Sequence, residues 1–209
     1  MYLIKNLLRA MVPERAISMY HLLIAEFAAL WFRHPSRHML VIGVTGTKGK
    51  SSVTEMVSAI LEAAHYRTAI INSIRFKIGE ESVPNTTRMS MPGRLFLQRF
   101  MRHAYRDDCD AVVIEMTSEG ARQHRHRGIM LDALIFTNLA PEHIESHGSL
   151  QAYKDAKFSI ARALGRSRKR TRYMVANEDD AESARYLALP VERSLPFSLK
   201  AHAPWEASP

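Results

Sequence analysis

Apolar and polar positions change their period several times along the chain, and those changes lay out its elements. Met39–Val44 is an apolar run that predicts a buried strand. Beyond a glycine-rich turn, Val53, Met56, Val57, Ile60 and Leu61 recur at helical spacing, which predicts a helix over Ser51–Ala64. Thr68–Ile71 predicts a second strand, and residues 75–91 read as polar and irregular. Pro92 suits a first helical position, and Leu95, Phe96, Phe100 and Met101 continue that helix. Asp110 opens a strand at Ala111–Met116, and another at Ala133–Phe136 runs into Thr137 and Asn138. Ser149 is placed to cap a helix reaching Leu164. Arg166–Arg172 reads as a basic connector, Tyr173–Ala176 as a strand and Asp179–Leu187 as a helix. The last twenty residues carry Pro190, Pro196, Pro204 and Pro209 and predict no further element.

Strands alternating with helices over short connections imply an α/β fold, a mostly parallel sheet flanked by helices on both faces. Ligands of such sheets bind at the carboxyl ends of the strands. The chemistry is therefore expected just past each strand. After the first comes Thr45-Gly-Thr-Lys-Gly-Lys-Ser-Ser52, which has the form of a phosphate-binding loop, with Val44 where the general pattern has glycine. Gly46 and Gly49 let backbone N–H groups approach a polyphosphate, and the following helix points its positive end at it. Lys50 would reach the terminal phosphates and the Ser51 hydroxyl a Mg²⁺. After the third strand come Glu115, Thr117, Ser118 and Glu119; after the fourth, Asn138, Glu142 and His143.

Residues 1–38 precede the first strand as an N-terminal helical segment. Within it Ala16–Phe32 is apolar apart from Ser18, His21 and Glu26. This lies at the lower length limit of a membrane span and carries an acid inside, so a helix packed on the domain or lying at a membrane surface is expected instead. Pro35 ends it. No cleavage site of small residues follows, which argues against a signal peptide.

Composition narrows the classes. At 209 residues, 46% hydrophobic and 24% charged, the chain has the make-up of a soluble globular domain. The single Cys109 rules out a disulfide framework and fits a reducing cytoplasm. His124 with His126, and His143 with His147, have metal-like spacing but no H-E-x-x-H and no Cys partner, so zinc is not expected. A net charge of +8 suits anionic partners. The basic run at 166–172 has no interleaved aromatic and reads as a solvated connector, so nucleic acid is not expected.

Several stretches taken together resemble the Mur ligase family, ATP-dependent amide-bond synthetases of cell-wall assembly. The loop at 45–52 looks like T-G-T-N-G-K-T-T, with Lys48 for Asn and Ser51 and Ser52 for the last two Thr. Asn138-Leu-Ala-Pro-Glu-His-Ile-Glu-Ser-His-Gly148 looks like N-L-x-x-D-H-L-D-x-H-G, with Glu142 for Asp. Tyr153-Lys-Asp-Ala-Lys157 is similar to Y-x-x-A-K, and Val175-Ala-Asn-Glu-Asp-Asp180 to V-x-N-x-D-D. Asn85-Thr86-Thr87 and Glu115-Met-Thr-Ser-Glu-Gly-Ala-Arg-Gln-His-Arg125 resemble motifs of the family's tripeptide-synthetase branch, with Arg88 where Pro follows N-T-T and Glu119 where His stands.

The resemblance implies a P-loop-containing central domain over 39–209, truncated toward its carboxyl end, with no C-terminal ligase domain. It implies that ATP sits on Gly46, Thr47, Lys48, Gly49, Lys50, Ser51, Ser52 and Asn138. Glu115 and His143 would hold a second Mg²⁺, and Lys157 would carry a carbamate that serves as a further metal ligand. A lysine must be neutral to react with CO₂, so this requires a lowered pKa. Asn85, Thr86, Thr87, Thr117, Gln123 and Arg125 would contact a UDP-N-acetylmuramoyl-dipeptide, to which an amino acid is added through an acyl phosphate. The expected protein is a monomer, binding ATP without turning over alone. A poly-γ-glutamate or folyl-polyglutamate type ligase, and a non-catalytic nucleotide-binding module, are the alternatives.

Overall fold

The computed structural model describes residues 13–142, 144–198 and 200. Helix α1 (Glu14–Trp31) and a 3₁₀ turn (Pro35–Arg37) lead to β1 (Leu40–Thr45), α2 (Lys50–Ala63) and β2 (Thr68–Ile71). Then come β3 (Arg75–Ile78), β4 (Glu81–Pro84), α3 (Arg94–Arg106), β5 (Ala111–Met116) and α4 (Ser118–Arg122). The chain continues through β6 (Ala133–Phe136), α5 (Ile144–His147), α6 (Leu150–Gly165), β7 (Tyr173–Asn177), α7 (Ser183–Leu187) and β8 (Arg193–Phe197).

Among the described residues eight strands form one sheet in the order β4-β3-β2-β5-β1-β6-β7-β8. Every pairing from β2 to β8 is parallel, and β3 and β4 add an antiparallel edge. From β1 the chain crosses to β2, leaving a place that β5 later fills, and β6 then lands on the other flank of β1. That reversal opens a crevice at the carboxyl ends of β1, β5 and β6. The register there sets Val44 beside Glu115 and Thr45 beside Phe136.

Both faces of the sheet carry helices, as the alternation predicts. On one face Val53, Val57 and Leu61 of α2 cover Ile42, Val44 and Val113. The other face holds the larger core. Leu97, Phe100 and Met101 of α3 and Ile160, Ala161 and Leu164 of α6 close over Val41, Val112, Ile114, Leu134 and Phe136. Each large side chain buried here contributes about 1.5–3 kcal/mol, so this layer is the main source of stability. Phe136 also stacks on Tyr186 of α7 at 4.0 Å.

Three expectations need correction. Residues 75–91 are not irregular, because they contain the β3–β4 hairpin. Its turn begins at Gly79 (φ +54°), and β4 is exposed throughout, so its polar residues hide the alternation. The tail past Pro190 contains β8. Pro196 is tolerated because β8 is an edge strand, where a missing N–H can face solvent. The helix expected from Asp179 starts at Ser183, since Asn177 and Asp180 turn their side chains onto the backbone N–H groups of Asp179 and Glu182. The helix read within Ala16–Phe32 is α1, which buries Ala25, Ala28 and Ala29 and packs on α3, and no described helix is long and apolar enough to cross a membrane. In the basic connector Arg166, Arg168 and Arg170 are exposed as expected, but Lys169 is tied to Asp132 at 2.9 Å and Arg172 to Glu192 at 2.6 Å.

Candidate functional site

The glycine loop lies flat on the end of β6. Gly46 has φ +147°, and a Cβ there would stand 2.0 Å from Thr137 Oγ1, so only glycine allows the approach. Gly49 takes φ +79° and begins α2. The residues just past β6 hold the loop. Thr47 N donates to Asn138 O (2.9 Å) and Lys48 N to Asn138 Oδ1 (2.9 Å). Thr137 Oγ1 and Asn138 Nδ2 both donate to Lys48 O, at 2.8 and 3.1 Å. This leaves the first turn of a fourteen-residue helix facing the crevice. Its N–H groups have no partner within the helix, which makes the turn receptive to an anion.

Charged and hydroxyl groups gather beside that turn. Ser51 donates to Glu115 Oε2 at 2.8 Å, and Lys50 Nζ lies 3.9 Å from Glu115 Oε1 while donating to Thr47 O at 2.9 Å. Glu115 is buried at the tip of β5. Ser73, just past β2, donates its N–H to Glu115 Oε2 (3.0 Å) and sets its hydroxyl 2.7 Å from that of Ser51. Ser73 escaped the sequence reading, although the strand-end rule applied to β2 points to it.

Lys157 reaches the loop from α6. It is 2% exposed and donates to Gly46 O. Burial, reinforced by the charge of Lys50, pushes its pKa down to about 7, against the opposing pull of Glu142 and Glu115. Lys154, which looks similar in sequence, instead pairs with Glu182 at 2.6 Å. Tyr153 stands one turn before Lys157, so both share a face of α6. The ammonium sits 4.9 Å from the Tyr153 ring, whose hydroxyl is 3.0 Å from Thr47 Oγ1. His143 lies outside the described residues. Among the described residues no three His, Cys, Asp or Glu side chains gather as a metal site. His124 bonds Ser18 (2.7 Å), and burial drops the pKa of His126 to about 3.

A cavity of about 530 Å³ runs from Lys50, Thr47 and Lys157 to Thr117 and Arg125. Of the predicted substrate contacts, Thr117 and Arg125 line it, and Arg88 joins them. Thr117 also caps α4, accepting from Gly120 N at 3.1 Å. Gln123 links Glu119 (2.7 Å) to Arg125 (2.9 Å) and so acts behind the wall. Asn85 braces its own loop, donating to Asn72 O (2.7 Å) and Met89 O (3.0 Å) and accepting from Thr87 Oγ1 (2.7 Å). Thr86 is exposed, and Ser52 follows Ser51 on α2. Lys48 is exposed and pairs with Glu142 at 3.7 Å. A larger cavity, about 780 Å³, lies between α1, α3 and the hairpin, and none of these groups line it.

Residues 44–208 match the model of the Mur ligase middle domain. The chain belongs to the Mur ligase family. Among its Mur ligase relatives is the UDP-N-acetylmuramyl-tripeptide synthetase of Roseiflexus sp. (strain RS-1), 33% identical over 205 residues, which takes in 93% of this chain and 40% of the relative. The chain thus spans well under half the length of that relative. In fold it is similar to a solved UDP-N-acetylmuramoyl-L-alanyl-D-glutamate–2,6-diaminopimelate ligase (TM-score 0.67, 24% identity, 78% of this chain and 33% of that one). It is also similar to the folylpolyglutamate synthase of Mycobacterium tuberculosis solved with ADP (TM-score 0.62, 16% identity, 89% and 51%). At these identities both show the Mur ligase middle-domain fold and no more.

Proposed function

We propose that this chain provides the nucleotide-binding part of an ATP-dependent ligase that adds an amino acid to a UDP-N-acetylmuramoyl-dipeptide. The observation that carries the reading is the meeting of Lys50, Ser51, Glu115 and Lys157 around one loop, at one mouth of a cavity whose other wall bears Arg88 and Arg125. ATP would sit on the loop, and a carboxylate or diphosphate would meet the arginines, which bind such groups with charge-assisted, two-pronged hydrogen bonds.

The residues fit Mg²⁺. A hydroxyl and a carboxylate 2.8 Å apart offer the hard oxygen ligands this ion prefers. When bound, it would neutralise charge on the phosphates during transfer. Ser51 and Glu115 would hold it, with Ser73 fixing the carboxylate. The chain's own residues do the rest. Backbone N–H groups of the loop and Lys50 orient the polyphosphate, and the buried wall around Lys157 and Tyr153 keeps water from an acyl phosphate. The Lys157 amine, partly neutral near pH 7, can bond CO₂ through its lone pair and release a proton, leaving a carbamate anion beside the loop.

The acceptor is inferred from the relative named as a tripeptide synthetase. A folyl acceptor is the weaker reading, because the folylpolyglutamate synthase shares fold at only 16% identity. Calorimetry on the 209-residue chain tests both points. ATP with Mg²⁺ is expected to bind and Lys50→Ala to abolish it. UDP-N-acetylmuramoyl-dipeptide is expected to bind in an Arg125-dependent way and a folyl glutamate not to bind. No ATP binding sinks the ligase reading, and preference for the folyl compound sinks the acceptor.

A further inference from the structure

Among the described residues the outward side of helix α1 exposes a row of apolar side chains, with the half-exposed acid Glu26 beside it. Met19, Tyr20, Leu23, Phe27, Leu30 and Trp31 are each more than half exposed. Positions 19, 23, 27 and 31 succeed one another at i+4, so the stripe is continuous along the helix. An exposed apolar patch of this kind marks a contact surface.

At Trp31 the stripe enters the 780 Å³ groove, whose floor includes the aromatic cluster Phe76, Phe96 and Phe100. Arg33, Arg99, Arg102 and Arg106 line the same groove, and none has an ion-pair partner among the described residues. Glu81 is the acid in its lining. Arg99 lies over the Phe96 ring (5.9 Å) and Arg102 over Tyr105 (5.4 Å), so their charge is held against the apolar surface without an ion-paired acid to offset it. An apolar stripe edged by such arginines, on a chain of net charge +8, complements a surface that is apolar inside and anionic outside.

We propose that this face docks on an anionic lipid bilayer. Helix α1 would lie in the headgroup plane with Phe27 and Trp31 inserted, while the groove arginines meet lipid phosphates. Aromatic side chains with a polar tip favour that interface, and basic residues beside it add attraction to anionic lipid. A second copy of this chain complements the face less well, since a symmetric pair would bring the two sets of arginines together. The inference does not depend on what the glycine loop binds.

Flotation of the 209-residue chain with vesicles of equal parts phosphatidylglycerol and phosphatidylcholine tests it, against phosphatidylcholine alone. The chain is expected to float with the anionic vesicles and to release as salt is raised. In a Trp205→Phe background, Trp31 emission is expected to shift to the blue. Phe27→Glu with Leu30→Glu, and separately Arg99→Gln with Arg102→Gln, should each weaken binding by about tenfold or more. Circular dichroism identifies a variant that fails to fold, and the salt response of the unaltered chain decides the matter without it. No flotation, or equal flotation by folded variants, overturns the proposal. So does a dimer broken by Phe27→Glu in a chain that ignores vesicles, or binding to RNA alone.

Discussion

Ser51 and Glu115 arrive from the start of α2 and the tip of β5 and meet at 2.8 Å. The parallel register explains the meeting: β1 and β5 run side by side, Val44 level with Glu115, so whatever follows β1 stands over the end of β5. Ser73 closes the group from the next strand.

Glu115→Gln keeps the shape and most hydrogen bonds of this group but removes its charge. The part of nucleotide affinity that depends on Mg²⁺ should fall about 10–100-fold, while binding in the presence of a chelator changes little. Titration calorimetry with and without Mg²⁺ separates the two. An equal loss in both conditions would mean that Glu115 only supports the loop.

Lys157 should make stability depend on pH in a defined direction. Its folded pKa is about 7, against about 10.4 for an unfolded lysine. Between those values the unfolded chain holds the extra proton, so stability rises with pH across that window and is flat below it. Each unit is about 1.4 kcal/mol, so the full rise is on the order of 3–5 kcal/mol. Urea unfolding in CO₂-free buffer near pH 7 and near pH 10, compared with Lys157→Met, checks it. The variant should lack this rise, while contributions from groups that do not touch Lys157 cancel in the comparison.

The two loop glycines should differ. Gly46→Ala drives a methyl group into Thr137 Oγ1, so a loss of about 2–4 kcal/mol and of nucleotide binding is expected. Gly49→Ala meets nothing within 4 Å and bears only the left-handed backbone cost, about 1–2 kcal/mol. Denaturation curves and nucleotide titrations of both variants give the contrast. Equal losses would contradict the close approach at Gly46.

What could be read from the sequence follows what burial does to sequence. Strands β1, β2, β5, β6 and β7 lie inside the sheet, so their apolar runs announce them to within a residue. The edge elements β4 and β8 face solvent, and their polar residues and Pro196 conceal them. The same division holds at the site. The loop, Glu115 and Asn138 follow directly from strand ends. Which of Lys154 and Lys157 turns inward depends on the packing of α6, and spacing alone did not settle it. Asn85 and Gln123 bond to Asn72 and Met89 and to Glu119 and Arg125, pairings that spacing does not reveal.

Within the basic connector, Lys169 should matter to folding more than its exposed arginine neighbours. Lys169 Nζ donates to Met39 O at 2.7 Å and sits 2.9 Å from Asp132 Oδ2, which also accepts from Val41 N. It therefore ties the connector to the entry of β1. Both side chains are about 85% hidden from solvent, so the pair is only weakly screened. Lys169→Met leaves Asp132 with the backbone bond alone and is expected to cost about 1–3 kcal/mol, a fall in Tm of about 2–10 °C. Arg168→Ala and Arg170→Ala alter exposed residues and should stay within about 0.5 kcal/mol. Thermal melts of the three variants test this, and a uniform effect would show that the whole run acts only through its charge.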